Sequence, residues 1–192
     1  MERRNFKPGT MIYPLPALMV SCGEDEKEYN ILTASWVGTL CSEPPMCYVS
    51  IRPNRHSHKI ISKTKAFVLN LTTEFLAKQT DWCGVKSGRD YNKFKEMKLT
   101  YQKAEKVLAP IILESPLNIE CQVVDIKELG SHDMFIAKVV NISCDPKYIN
   151  KETDSFELEK AGLLAYSHGK YYALGKQIGF FGYSVQKNKK KK

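Results

Sequence analysis

Apolar and polar residues alternate in short runs along most of this chain, the pattern of half-buried strands rather than of long amphipathic helices. The clearest run is Met46–Arg52, where Cys47, Val49 and Ile51 fall on one face and Tyr48, Ser50 and Arg52 on the other. Further strands are predicted over Ala17–Cys22, Asn30–Val37 and Ala66–Leu71, the last half-buried with Phe67, Leu69 and Leu71 opposite Val68 and Asn70. Ile111–Glu114, Leu117–Leu129 and Met134–Ser143 follow, the last two joined as a hairpin through Gly130-Ser131-His132-Asp133. A final hairpin pairs Gly162–Ser167 with Tyr171–Leu174 across His168-Gly169-Lys170. Four helical pieces interrupt the strands. One is capped by Ser57 and runs to about Lys63; another spans Glu74 to Cys83, capped by Thr72 or Thr73 and closed by Gly84. Tyr91–Met97 and Asp154–Lys160 are the other two. The fold class is therefore mainly β with inserted helices, a barrel-like core with helical decoration.

Strands do not alternate with long helices, and there is no Gly-x-Gly-x-x-Gly or phosphate-loop lysine motif. A Rossmann sheet is excluded, so a nicotinamide nucleotide would have to bind without a dedicated dinucleotide domain. The 192 residues suit one domain, read as residues 1–182, followed by a basic disordered tail over 183–192. No apolar run approaches the roughly 18–20 residues that span a bilayer, and no signal-peptide pattern is present, so a cytoplasmic location without membrane attachment is expected. The six cysteines are scattered, with no Cys-x-x-Cys pair and no zinc spacing. Cys47, Cys121 and Cys144 fall in strand-like runs and read as reduced thiols of the core.

The net charge is +8, but five lysines sit in Lys187–Lys192 alone, and such a run is ordinarily a solvated tail. No RNA-binding signature accompanies the charge, and no nucleic-acid partner is expected. The excess in the body suits small anionic ligands.

Candidate chemistry concentrates in Asn30–Ile61. Ser50 and Arg52 share a strand face, Pro53-Asn54 ends the strand, and Arg55, His56 and Ser57 lead into a helix whose first N–H groups lack intrahelical partners. Two readings stand: a solvated basic turn, or a receptor for a phosphate carried by a ligand lying along the sheet.

Thr33-Ala34-Ser35-Trp36, the Pro44-Pro45 pair and the Ser50-Ile51-Arg52 strand end resemble the flavin reductase-like family of FMN-binding split β-barrels, which includes flavoredoxin-type and ferric reductase-type members. Ser87-Gly88-Arg89-Asp90 with Lys93-Phe94, Glu114-Ser115-Pro116, Gly130-Ser131-His132-Asp133 and Tyr171-Tyr172-Ala173-Leu174-Gly175 agree in order, so the resemblance covers about Lys7 to Gly182. No single motif is specific; their collinear order is.

The resemblance implies an FMN-binding split barrel, with Asn30, Thr33, Ala34, Ser35, Ser50, Ile51, Arg52, Arg55, His56, Ser57 and Ser87 holding the cofactor. Small residues at Thr33–Ser35 would let the flavin ring approach backbone groups. It implies His132 on the nicotinamide side as a positioning or proton-supplying residue. It also places Cys41, in the loop between the second and third strands, near the reactive edge of the flavin. Lys176 and Gln177 fall where the family's chain nears the flavin, or in an ordinary turn. Family members usually form homodimers in which both subunits line each flavin site. The activity implied is transfer of electrons from NADH or NADPH, as a transient donor, through FMN to free flavin, ferric complexes or a redox protein. A non-enzymatic FMN-binding electron carrier, reduced by a protein partner, is the alternative. A binding module driven by the basic tail is a third.

Overall fold

The structure is a computed structural model that describes residues 1–186. In chain order it contains β1 (Leu15–Pro16), β2 (Leu18–Cys22), β3 (Asn30–Ala34), β4 (Val37–Ser42), β5 (Pro45–Ile51), α1 (His56–Thr64), β6 (Ala66–Asn70), a 3-10 turn (Glu74–Leu76), α2 (Ala77–Val85) and α3 (Lys93–Glu96). Then come β7 (Tyr101–Lys103), β8 (Pro110–Ile112), β9 (Leu117–Glu128), β10 (Asp133–Cys144), further 3-10 turns at Pro146–Tyr148 and Leu158–Ala161, β11 (Leu164–Ser167), β12 (Lys170–Ala173) and a last turn, Tyr183–Val185.

Seven strands form one antiparallel sheet in the order β3-β2-β6-β9-β10-β5-β4. The two outermost strands, β3 and β4, are consecutive in the chain, separated by Ser35-Trp36 alone. The sheet must therefore curl until its edges meet at that corner, where Ser50 N–H donates to the Trp36 carbonyl at 2.8 Å. Inside the curl lies the main core, including Val20, Leu32, Val49, Ile51, Phe67, Cys121 and Phe135. Full burial of such side chains contributes roughly 1.5–3 kcal/mol each.

The alternation in β5 is as expected, with Cys47, Val49 and Ile51 buried. In β6 it is not: all five residues are buried, because a second layer covers the outer face. Ala66 and Val68 pack against Ala104, Val107, Ala109 and Ile111 of the β7–β8 segment, whose first strand the sequence pattern had not indicated. On the outer face of β2 and β3, Met19 and Ile31 pack under Leu76, Cys83 and Phe94 from the helical segment.

Other expectations also change. Asn30–Val37 breaks at Ser35, and Cys41 lies on β4 rather than in a loop. Arg55, not Ser57, occupies the α1 cap position; Ser57 is buried inside the first turn. Gly84 lies within α2 instead of ending it. The helix expected over Asp154–Lys160 is a single 3-10 turn at Leu158–Ala161. The two hairpins form as expected, with His168 and Gly169 both at positive φ in the tighter turn. All six cysteines are free, four of them buried and Cys41 and Cys144 half-buried. Of the tail expected over 183–192, residues 187–192 lie outside the described residues. Among the described residues no helix is long and apolar enough to cross a membrane.

One polar network ties the β7–β8 layer to the sheet. The amide of Asn70, fully buried, donates to the Met19 carbonyl (2.8 Å) and Ser21 Oγ (2.9 Å), while its Oδ1 accepts from Ile112 N–H (3.0 Å) and Asn118 Nδ2 (2.8 Å). Truncating Asn70 strands several buried partners at once, each worth about 1–3 kcal/mol. Asn70→Ala is expected to lower unfolding free energy by about 2–4 kcal/mol. Urea denaturation measures this, and a loss below about 0.5 kcal/mol, within the range of an indifferent surface change, contradicts it.

Candidate functional site

The corner that closes the sheet also builds a cleft. The end of β3, the end of β5 and the start of α1 converge, so residues far apart in sequence line one continuous surface. Its larger part, about 460 Å³, is bounded by Asn30 and Thr33, the turn from Arg52 to Ser57, the end of α2 and the following loop from Lys86 to Arg89, and Lys93. The smaller part, about 220 Å³, is lined by Ala34, Ser35, Trp36, Ser50, Ile51, His132 and Tyr166. Leu32, Thr33, Arg52 and Arg55 border both.

Asn30, Thr33, Arg52, Arg55, His56, Ser57 and Ser87 thus line the larger compartment, and Ala34, Ser35, Ser50, Ile51 and His132 the smaller. Cys41 is not brought to this cleft. It lies beyond the corner on β4, lining a separate apolar cavity with Val37, Met46 and Cys47, its thiol donating to the Glu43 carbonyl at 3.3 Å. Lys176 and Gln177 are exposed and border neither compartment.

Local contacts hold the walls. Asn30 Nδ2 donates to Ser57 Oγ at 2.6 Å, fastening the start of β3 to the first turn of α1. Gly88 packs directly on that amide: a Cβ there would lie 2.1 Å from Asn30 Oδ1. The Thr33 hydroxyl donates to the Thr80 carbonyl, and Gly84 meets the same threonine so closely that a Cβ would sit 3.1 Å from it. At the other end His58 Nε2 and Asp133 Oδ2 pair at 2.7 Å, linking α1 to the β9–β10 hairpin that carries His132. The His132 ring lies against Trp36 with centroids 4.3 Å apart, and its Nδ1 hydrogen-bonds Ser131 Oγ at 2.9 Å.

Electrostatically the larger compartment is one-sided. Arg52, Arg55, Lys86, Arg89 and Lys93 line it without a single carboxylate. None of the five joins an ion pair among the described residues. Lys93 is 3% exposed, and its ammonium donates to the Cys83 carbonyl at 2.6 Å, leaving two donors unused. Burial, with added repulsion from Arg55, pulls Lys93 down from 10.5 to about 8. His56 is held below its ordinary value by burial and then by Arg89, Lys93 and Lys59. His132 is lowered likewise, by burial and then Arg52 and Arg55, with Asp133 opposing. Both imidazoles are therefore neutral near pH 7. The α1 N-terminus, with no side-chain cap, adds backbone N–H groups and a partial positive charge to the same place.

A family model described as the flavin reductase like domain matches residues 10–175. The chain belongs to the flavin reductase-like family. An uncharacterized protein of Pyrococcus abyssi is 35% identical over 130 residues, covering 68% of this chain and 74% of that protein. The reductase component of a 4-nitrophenol 4-monooxygenase/4-nitrocatechol 2-monooxygenase of Rhodococcus opacus is 28% identical over 140 residues, covering 73% of this chain and 71% of that protein. Among solved structures, flavoredoxin of Desulfovibrio vulgaris (Miyazaki F) superposes with a TM-score of 0.88 at 24% identity, covering 96% of this chain and all of that one.

A flavin nucleotide needs donors for a phosphate beside room for a flat ring, and the residues lining the cleft fit both requirements. Buried Lys93 with unused donors and the uncapped α1 terminus fit a phosphate. The small side chains of Ala34 and Ser35 leave room for a ring against backbone. Lys93 stands in the sequence only as part of the Lys93-Phe94 match to the family and was not among the expected cofactor-binding residues; tertiary packing buries it and brings it to the cleft.

The Lys93 shift has a definite sign. Below about pH 8 the folded and unfolded chains both carry the proton, and the fold bears the full cost of burying the charge. Between about 8 and 10.5 the unfolded chain binds more protons, so the stability contributed at this position rises with pH. The difference between wild type and Lys93→Met in urea midpoint is expected to shift in favour of wild type from about pH 7.5 to about pH 9.5. Inorganic phosphate, by stabilising the ammonium, is expected to flatten that dependence. An identical pH dependence in both proteins contradicts it.

Proposed function

We propose that the chain is an FMN-dependent oxidoreductase that takes electrons from NADH or NADPH and passes them to free flavin, a ferric complex or a redox protein. The observation that carries this reading is the carboxylate-free cationic compartment at the α1 N-terminus, opening directly into the small-residue compartment beneath His132. The family and the reductase relative from Rhodococcus opacus support it.

In this reading Arg52, Arg55, Lys93 and the first N–H groups of α1 hold the phosphate, and Ser57 keeps that turn in place through Asn30. The Thr33–Ser35 backbone and Ser50 set the plane of the ring. Bound FMN supplies hydride acceptance and one- or two-electron transfer, chemistry no side chain here provides. Arg52, at the border of the compartments, would place positive charge beside the ring as well as the phosphate, which would favour the reduced cofactor. Neutral His132 lines the smaller compartment, where its Nε2 can position the donor or carry a proton. Trp36, packed at a tilt against the imidazole, helps to hold its plane. Cys41, outside the cleft, takes no part.

The test is an anaerobic visible-absorption titration of the flavin-loaded protein. Bleaching on addition of NADH or NADPH is expected, and His132→Ala is expected to slow it by about 10- to 100-fold, the scale of one positioned proton-transfer group. Flavin that neither nucleotide reduces contradicts the reductase and leaves the electron carrier served by a protein partner.

A further inference from the structure

The larger compartment holds more positive charge than one phosphate monoester uses. Such a group carries about two negative charges at neutral pH, against the five cations that line the compartment. The surplus is also spatially sorted. Lys93 is buried at the base, and Arg52 and Arg55 stand at the junction with the smaller compartment. Lys86 and Arg89, by contrast, are exposed and lie on the outer rim, in the loop after α2.

That rim is organised. Arg89 Nη2 donates to the Asn54 carbonyl at 3.2 Å, which brings the guanidinium across to the β5–α1 turn and leaves its other donors free. Lys86 Nζ stands 5.6 Å from the ring centroid of Tyr91, which is 40% exposed and packs edge-on against Trp82. Both cations therefore border the compartment where the first phosphate would rest, and the partly exposed Tyr91 ring stands beside one of them. An exposed, desolvation-free pair of this kind costs little when empty, but repels its neighbours: Arg89 contributes to the depression of His56. Cation and ring together are the elements that recognise a phosphorylated nucleoside, the charge taking the phosphate and the ring stacking on the base.

We infer that Lys86, Arg89 and Tyr91 form a second phosphate subsite, for a phosphate group of an adenine nucleotide beyond the one that FMN carries. The inference rests on the proposed FMN site. Two sources share this chemistry. One is the diphosphate of FAD, extending outward from the first phosphate; the other is the 2′-phosphate that separates NADPH from NADH. The subsite thereby sets which nucleotide the protein prefers, a property the walls of the smaller compartment do not decide.

The test compares wild type with the double variant Lys86→Ala/Arg89→Ala, whose side chains are exposed and whose truncation leaves the core untouched. FMN and FAD are titrated into flavin-free protein, and NADH and NADPH are compared as donors to the FMN-loaded protein. The expected result is at least a tenfold preference for the more phosphorylated member in one of the two pairs, reduced to about twofold or less in the double variant, with FMN affinity falling by clearly less than that of the more phosphorylated member. A preference in the flavin pair assigns the subsite to the diphosphate; one in the donor pair assigns it to the 2′-phosphate. Absence of any preference in wild type overturns the inference, as does a preference that survives the double variant. Loss of FMN affinity equal to any other loss also overturns it, because both cations then belong to the first phosphate. If wild type takes up no FMN at all, the proposed FMN site fails first, and that outcome is distinct from these.

Discussion

The two-residue corner at Ser35-Trp36 is the constraint on which the rest of the molecule depends. It joins strands at opposite ends of the seven-stranded order, so the sheet has no choice but to curl. Curling gives the apolar faces of β2, β3, β5, β6, β9 and β10 a shared interior, and burial of that interior is the main favourable term in folding. It also brings the end of β3 beside the end of β5, held by the hydrogen bond from Ser50 N–H to the Trp36 carbonyl. Neither strand alone makes a site. Their convergence with α1 makes a cleft with a buried cation at its base and further positive charge around it.

The cleft works against the stability of the free protein. Five cations without carboxylates repel one another, and buried Lys93 loses hydration for a single carbonyl contact. The surrounding structure offsets this through buried polar groups that are satisfied: Asn70 and Asn118 between sheet and β8, and Glu120, whose carboxylate accepts from the Glu105 and Lys106 N–H groups and from Asn141. These networks lie away from the cleft, so the rigid part of the molecule carries the strain of the reactive part. An anionic ligand relieves the repulsion directly, so ligand binding and folding are linked.

Much of this was legible in the sequence, and the parts that were not have physical reasons. Period-two alternation in Met46–Arg52 gave the correct faces because that strand is covered on one side only. Ala66–Asn70 was misread as half-buried because a second layer, contributed by residues more than thirty positions later, covers it. Such long-range covering leaves no local mark. The basic turn after β5 was visible as a cluster, whereas its cap was placed two residues late, at Ser57 instead of Arg55, since Ser57 serves Asn30 rather than a backbone N–H. Cys41 was expected in a loop near the cleft; after the corner the chain continues as β4, which carries it to a separate apolar cavity. The same corner sets Trp36, partly exposed, against His132.

The central claim is that the compartment at the α1 N-terminus is a phosphate receptor serving a flavin in the adjoining compartment. The most direct measurement is equilibrium binding of FMN and riboflavin to flavin-free protein, since the two ligands differ only in the phosphate. FMN is expected to bind at least about a hundredfold more tightly at low salt, with the difference shrinking as ionic strength rises. Equal affinities, or a difference insensitive to salt, would contradict it.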